Sequence, residues 1–139
     1  MYFKQGDLFW GMNKGFVEAA TQLAISFSCQ QGEKLFGLGD ATEFFYIILK
    51  GNIGLNYDQK DLTHYEARHP GEVVGWSALI GQDFYTASAT VETDADMLKI
   101  PTDSFLEVLN KWPDCKAILF ERVAKTLGNR LLEMYPSAA

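Results

Sequence analysis

The chain has 139 residues, of which 47% are hydrophobic, and it carries a formal charge of −6 at pH 7. This length suits one domain with its own hydrophobic core, and the acidic balance argues against nucleic acids and anionic membrane surfaces as partners. The sequence has no apolar run long enough to span a bilayer and no basic-then-apolar start, so we expect a cytoplasmic protein.

The first predicted elements are a helix and a strand. Apolar residues recur at three- and four-residue steps over residues 9–23, with interruptions at Gly11 and Gly15, which predicts a helix. Over residues 25–29 apolar residues alternate with serines, the pattern of a half-buried strand.

Turn signals divide the middle of the chain into short segments. Glycine-containing pairs mark turns at residues 31–32, 39–40, 50–51 and 70–71. Many short strands with turns at regular intervals predict a sandwich or barrel, and helices at both ends make the fold class α+β. The strand-like runs are residues 44–49, 53–57, 62–67, 86–92 and 96–100.

Two helices are predicted at the end of the chain. A short helix covers residues 101–109, with Thr102 or Asp103 as its candidate N-cap. Residues 112–114 break it and begin a second helix of about 22 residues, which Pro136 stops.

Apolar residues along the last helix repeat at alternating steps of three and four, as in a coiled coil. One interpretation is an amphipathic helix that lies on the barrel, and the other, which we favour, is a homodimer seam. Both can hold at once, because further apolar residues widen the surface. The residues predicted to form the dimer interface are Phe120, Ala124, Leu127, Leu131 and Met134.

The segment from Gly71 to Val91 carries the strongest functional signal. A turn, a short helical segment after Gly75 and a returning strand predict a pocket lined by backbone N–H groups, which suits an anion. Yet no Lys or Arg occurs from Pro70 to Met97, so the counter-charge of a phosphate site is missing.

The order of these motifs resembles the cyclic-nucleotide-binding domain superfamily of catabolite activator protein-like regulators. The resemblance runs from about residue 16 to residue 135. It rests on four segments, which are QGEKLFGLGD at 31–40, FFYIILKG at 44–51, PGEVVG at 70–75 and ATV at 89–91.

This resemblance implies a stand-alone bacterial regulatory domain with an eight-stranded antiparallel jelly-roll barrel. One domain would cover residues 1–139, with the barrel at about 16–100 and the C-terminal helices at 101–135. Residues 75–79 would match the phosphate-binding cassette, and the long last helix would cover the pocket and pair across a dimer.

Two positions depart from the family pattern. Members that bind cyclic nucleotides carry a Glu after the cassette glycine, where this chain has Trp76, and an Arg two residues before Ala-Thr-Val, where it has Ala87. Charged hydrogen bonds contribute roughly 1.5–3 kcal/mol each, so we expect cyclic AMP and cyclic GMP to bind weakly or not at all. The predicted ligand is an unknown small molecule. Its predicted contacts are Gly75, Trp76, Ser77, Ala78, Leu79, Tyr85, Thr86, Ala87, Ser88 and Ala89.

Several alternatives stay open at this point. Trp76 either fills the pocket or offers a face for stacking, and Tyr85 is either a pocket residue or a surface cap. No basic residue is expected to replace the missing cation, because solvated positions are the usual place for such side chains. The basic residues closest to this role are Arg68, Arg122, Lys125 and Arg130.

Neither a cofactor nor catalysis is predicted. The two histidines, His64 and His69, do not supply the metal cluster of a jelly-roll enzyme, and no nucleotide-binding or nucleophile motif occurs. Cys29 and Cys115 lack metal-ligand spacing and predict buried free thiols. The remaining alternative to a sensor is a ligand-free protein-interaction module with the same fold.

A DNA-binding role is not expected by the route that related regulators use. In those proteins a helix-turn-helix follows the long helix. Here the sequence ends at residues 136–139, which leaves no room for one.

Overall fold

The computed structural model describes residues 8–57 and 65–134. Their fold is α+β, with antiparallel sheets and helices at both ends, as predicted. The elements are α1 Lys14–Leu23, β1 Ile25–Cys29, β2 Lys34–Phe36, β3 Phe44–Lys50, β4 Ile53–Asn56, β5 Tyr65–Ala67, β6 Val73–Val74, α2 Trp76–Leu79, β7 Ser88–Val91, β8 Ala95–Pro101, α3 Thr102–Asn110 and α4 Pro113–Met134.

The strands form two four-stranded antiparallel sheets. The first has the order β1-β8-β3-β6 and the second the order β2-β7-β4-β5. Strand pairing within the described residues does not close these sheets into one barrel. The closed eight-stranded jelly roll therefore stays a prediction.

Strand β3 separates two hydrophobic cores because its side chains alternate between its faces. Phe45 and Ile47 belong to the core that the helices cover, whereas Tyr46 and Ile48 belong to the core with residues of the second sheet. Phe105 of α3 anchors the helical side, with its ring centroid 4.9 Å from that of Phe45. The helices and the second sheet thus occupy opposite faces of the first sheet.

The N-terminal helix is shorter than predicted. It begins at Lys14 because the Asn13 side chain caps it, with Oδ1 accepting hydrogen bonds from the N–H groups of Gly15 at 2.8 Å and Phe16 at 3.3 Å. Residues 8–11 form a turn instead. Apolar spacing alone did not reveal this boundary, since Phe9 is buried in the turn just as it would be in a helix.

Two further differences concern short-range signals. The N-cap of α3 is Pro101, without a side-chain hydrogen bond, so the prediction of Thr102 or Asp103 was wrong. Strands β2 and β6 were not predicted, because three and two residues are too few to show a period. The last helix has the predicted length of 22 residues.

No helix in residues 8–57 and 65–134 is long and apolar enough to cross a membrane.

Candidate functional site

A cavity of about 340 Å³ lies beside Gly75, between the α2 segment, the second sheet and α4. We call it the α2–α4 cavity. It brings together six of the ten predicted ligand contacts: Gly75, Trp76, Ser77, Tyr85, Thr86 and Ala87. The other lining residues are Phe36, Leu55, Tyr57, Ile80, Leu127, Arg130 and Leu131.

Four predicted contacts do not line this cavity. Ala78 and Leu79 are buried in the core that the helices cover, and Ala89 is fully buried in β7. Ser88 does not line it either, and its Oγ accepts a hydrogen bond from the Leu38 N–H at 2.9 Å.

Gly75 allows the chain to turn from β6 into α2. Its backbone has φ +93° and ψ +39°, a left-handed conformation that costs other residues about 1–2 kcal/mol. The turn also uses part of the predicted N–H array, because the Ala78 N–H donates to the Gly75 carbonyl at 3.1 Å.

Hydroxyl groups form part of the cavity wall. The hydroxyls of Ser77 and Thr86 hydrogen-bond each other at 3.0 Å. Tyr85 is buried rather than a surface cap, with its ring stacked on Phe36 at 3.8 Å between centroids and its hydroxyl donating to the Phe44 carbonyl. Burial raises the pKa of Tyr85, so its phenol stays neutral at physiological pH.

Trp76 packs inward, yet a cavity remains next to it. The residue is only 8% exposed, and its indole lines the cavity rather than closing it. The indole Nε1 is buried without a hydrogen-bond partner among the described residues.

Arg130 supplies a cation to this cavity, so the prediction that it lies on a solvated face was wrong. Its side chain is 13% exposed, and Nη2 donates to the Glu72 carboxylate at 3.2 Å. The guanidinium lies over the Tyr65 ring at 4.1 Å from the centroid and 5.9 Å from that of Trp76. Cation–π contacts of this kind hold arginine at aromatic surfaces.

A spacing signal could have identified Arg130. It follows Leu127 by three residues and precedes Leu131 by one, so all three side chains share one helix face, and all three line the cavity. The general tendency of arginine to lie in solvent does not predict this placement.

None of the other three candidate cations lines the α2–α4 cavity. Arg122 donates from Nη1 to the Leu8 carbonyl at 3.0 Å. Lys125 is exposed and pairs with Glu121 at 3.3 Å, and Arg68 is exposed.

Glu72 accepts hydrogen bonds from four groups. Its Oε1 accepts from the backbone N–H groups of Arg68 at 3.0 Å and His69 at 3.1 Å, and its Oε2 accepts from the Tyr65 hydroxyl and from Arg130. Three of these donors hold the carboxylate in place without Arg130.

The residues predicted to form the dimer seam lie on one side of α4. Phe120 and Leu127 are half-buried, whereas Ala124 and Leu131 are exposed. The side chain of Met134 lies outside the described part of the chain. The face that packs on the core instead carries Cys115, Leu119 and Val123. The dimer stays a prediction.

The cysteines and histidines of the described part of the chain do not line the α2–α4 cavity. Cys29 and Cys115 are buried free thiols. No group of three or more His, Cys, Asp or Glu side chains able to hold a metal ion occurs within the described ranges. His69 is exposed, and His64 lies outside the described residues.

Tyr46 makes the free energy of unfolding depend on pH in the alkaline range. Its ring stacks on that of Phe36, with 5.8 Å between the centroids. Burial, followed by the neighbouring Tyr85 and Glu43, raises the pKa of Tyr46 to about 12. The unfolded chain releases this proton first, so the free energy of unfolding should fall as the pH rises from about 10 to about 12. Tyr46→Phe lacks this ionisable group. Between these pH values its free energy of unfolding should therefore fall less steeply than that of the wild-type protein, by up to about 1.4 kcal/mol per pH unit.

Urea unfolding of the wild-type and Tyr46→Phe proteins across this range measures the effect. The difference between the two proteins should be independent of pH near neutrality, where both states keep the proton. A difference that stays constant up to about pH 12 would contradict the assignment.

The comparisons with known proteins agree with this geometry. Residues 27–111 match the family model of the cyclic nucleotide-binding domain. No curated protein matches the sequence. One similar solved structure is a putative cyclic nucleotide-binding protein from Geobacter metallireducens, with 21% identity, a TM-score of 0.78 and coverage of 89% of this chain and 91% of that one.

Two other solved structures extend the comparison. The N-terminal domain of a transcriptional regulator from Streptomyces coelicolor shares 20% identity and a TM-score of 0.71, with 94% of each chain covered. The catabolite activator protein of Thermus thermophilus shares 24% identity and a TM-score of 0.74, with 91% of this chain and 61% of that one covered. The structural likeness and the family match over residues 27–111 lead to one conclusion, which is that this chain belongs to the cyclic nucleotide-binding domain family.

Proposed function

We propose that this chain is a non-enzymatic sensor domain that binds a small molecule in the α2–α4 cavity and binds cyclic AMP and cyclic GMP weakly or not at all. One observation supports this proposal above the others. Trp76 and Ala87 line the cavity at the positions where cyclic-nucleotide-binding members of the family are expected to carry Glu and Arg. A cavity without these two side chains would lack the phosphate and ribose contacts of a cyclic-nucleotide site.

Arg130 does not replace the missing cassette arginine. It enters the cavity from α4 rather than from the segment before β7, and its Nη2 is already bound to Glu72. A phosphate seated against residues 85–89 would thus have no cation from its own strand.

The ligand would act through α4. Leu127, Arg130 and Leu131 of this helix line the cavity, so an occupant contacts α4 and the α2 segment together. A ligand that binds one position of α4 more tightly shifts the population towards that position.

The same helix carries the proposed homodimer seam of Phe120, Ala124, Leu127, Leu131 and Met134. Exposed apolar side chains support it, because Leu131 is 51% and the neighbouring Leu132 64% exposed. Since two seam residues also line the cavity, ligand binding and pairing would be coupled.

The domain organisation is part of this proposal. We propose a single domain over residues 1–139 with a jelly-roll barrel at about 16–100 and helices at 101–135, supported by the 89% of this chain that the Geobacter structure covers. The two buried free thiols, Cys29 and Cys115, fit a reducing cytoplasm.

The alternative of a ligand-free interaction module predicts a closed pocket. The cavity beside Gly75, which persists although Trp76 packs inward, counts against that alternative.

Isothermal titration calorimetry with cyclic AMP and cyclic GMP tests the proposal. We expect no binding or a Kd weaker than about 100 μM for both, because each lost charged hydrogen bond removes roughly 1.5–3 kcal/mol. A family member that binds cyclic nucleotides serves as the positive control. A Kd of about 1 μM or tighter for either nucleotide would contradict the proposal.

A further inference from the structure

Two unpartnered N–H groups are buried beside the α2–α4 cavity. Among residues 8–57 and 65–134, three buried side-chain polar atoms lack a hydrogen-bond partner, which are Trp76 Nε1, Arg130 Nε and Thr102 Oγ1. The first two belong to residues that line this cavity, and both are donors. Buried donors are normally paired, because an unmet hydrogen bond costs stability. Two unmet donors on residues from opposite walls of one cavity indicate an acceptor-bearing ligand.

The positive charge of Arg130 favours an anionic acceptor over a neutral one. Glu72 retains three other donors, namely the Tyr65 hydroxyl and two backbone N–H groups, so its hydrogen bonding does not depend on Arg130 alone. Arg130 therefore has hydrogen-bonding capacity left for an anion. A planar guanidinium matches the two oxygens of a carboxylate in a bidentate arrangement.

The rest of the cavity wall favours a ligand whose remaining part is apolar. Its volume of about 340 Å³ lies at the small end of the range of ligand sites, which is roughly 300–1,000 Å³. The hydroxyls of Ser77 and Thr86 share one hydrogen bond, so only one of their two O–H donors is left for a hydroxyl-rich ligand. Most of the remaining wall is aliphatic or aromatic, with Phe36, Leu55, Ile80, Leu127 and Leu131.

From these observations we propose that the α2–α4 cavity binds a small carboxylic acid with an aliphatic or aromatic body, whose carboxylate is held by Arg130 and the Trp76 indole N–H. This inference rests on the proposed sensor function and names its ligand class. A dianionic phosphate monoester fits less well, because a second negative charge would face the Glu72 carboxylate across the same guanidinium.

Calorimetry with two acids and their neutral amides tests this class directly. Phenylacetate and hexanoate should each bind at least about tenfold more tightly than phenylacetamide and hexanamide, because only the acids place a negative charge against the Arg130 guanidinium. Arg130→Gln should abolish this preference, so that each acid binds no more tightly than its amide. Lys125→Gln, on the exposed face of the same helix, should leave the preference intact.

Each contrary result has a separate meaning. Equal binding of acids and amides to the wild-type protein overturns the carboxylate assignment but leaves the sensor function standing, as does tighter binding of phenyl phosphate than of phenylacetate. No binding of any of the four compounds up to about 10 mM overturns the inference too. Micromolar binding of cyclic AMP overturns the proposed function itself. If Arg130→Gln fails to fold, the wild-type comparison of acid with amide decides.

Discussion

Replacing Trp76 by Glu and Ala87 by Arg in one protein should strengthen its binding of cyclic AMP by roughly 10²- to 10⁴-fold. The introduced guanidinium would neutralise the cyclic phosphate, and the introduced carboxylate would accept from the ribose hydroxyl. Two charged hydrogen-bonding contacts at roughly 1.5–3 kcal/mol each account for a gain of this size. Removing the indole also opens space, because Trp76 lines the cavity.

The control for this gain is a double substitution of similar size without charge, Trp76→Gln with Ala87→Met. It enlarges and reshapes the cavity in the same way, so it should bind cyclic AMP no better than the wild-type protein does. Calorimetry on both variants separates charge from space. A folded Trp76→Glu/Ala87→Arg protein with no gain in affinity would show that the two missing side chains do not explain weak binding.

Glu72→Ala should lower the free energy of unfolding by about 3–5 kcal/mol, the usual cost of breaking a buried ion pair from one side. The side chains of Glu72 and Arg130 are only 11% and 13% exposed, so the guanidinium would be left buried without its counter-charge. The Tyr65 hydroxyl and two backbone N–H groups would lose their acceptor as well. Urea unfolding monitored by circular dichroism measures the loss.

Glu121→Ala is the matched control on the protein surface. Glu121 pairs with Lys125 at 3.3 Å, but their side chains are 67% and 73% exposed. Exposed pairs of this kind contribute about 0–1 kcal/mol, so this variant should unfold almost as the wild-type protein does. Similar losses in the two variants would mean that the Glu72–Arg130 pair is screened by solvent and does not define the cavity wall.

Sequence patterns predicted the elements that are long enough to show a period. The last helix was predicted from its apolar spacing and its proline limits, and it spans 22 residues. Alternation over residues 25–29 and the apolar run at 44–49 were similarly sufficient for β1 and β3. The short strands β2 and β6 were not predicted, because pairing with neighbouring strands rather than a pattern in their own residues holds them in the sheets.

The candidate site was likewise predicted only in part. The glycine motif at residue 75 and the strand that follows predicted one wall of the cavity, and six of its ten predicted contacts line it. Arg130 on the opposite wall was not predicted. Its place on the same helix face as Leu127 and Leu131 was visible in the sequence, but its pairing with Glu72, 58 residues away, carries no local pattern. Solvated arginine is a sound expectation only where no buried carboxylate and aromatic ring are available to receive it.

By itself, the sequence determined the family, the fold class and the absence of Glu and Arg at positions 76 and 87, because these depend on residue identity and local periodicity. Only the tertiary structure decided that the pocket stays open beside Trp76 and that Arg130 provides its cation. Both outcomes depend on how α4 packs against the α2 segment and the second sheet, and packing between distant segments sets burial and charge pairing in ways that no short stretch of sequence contains.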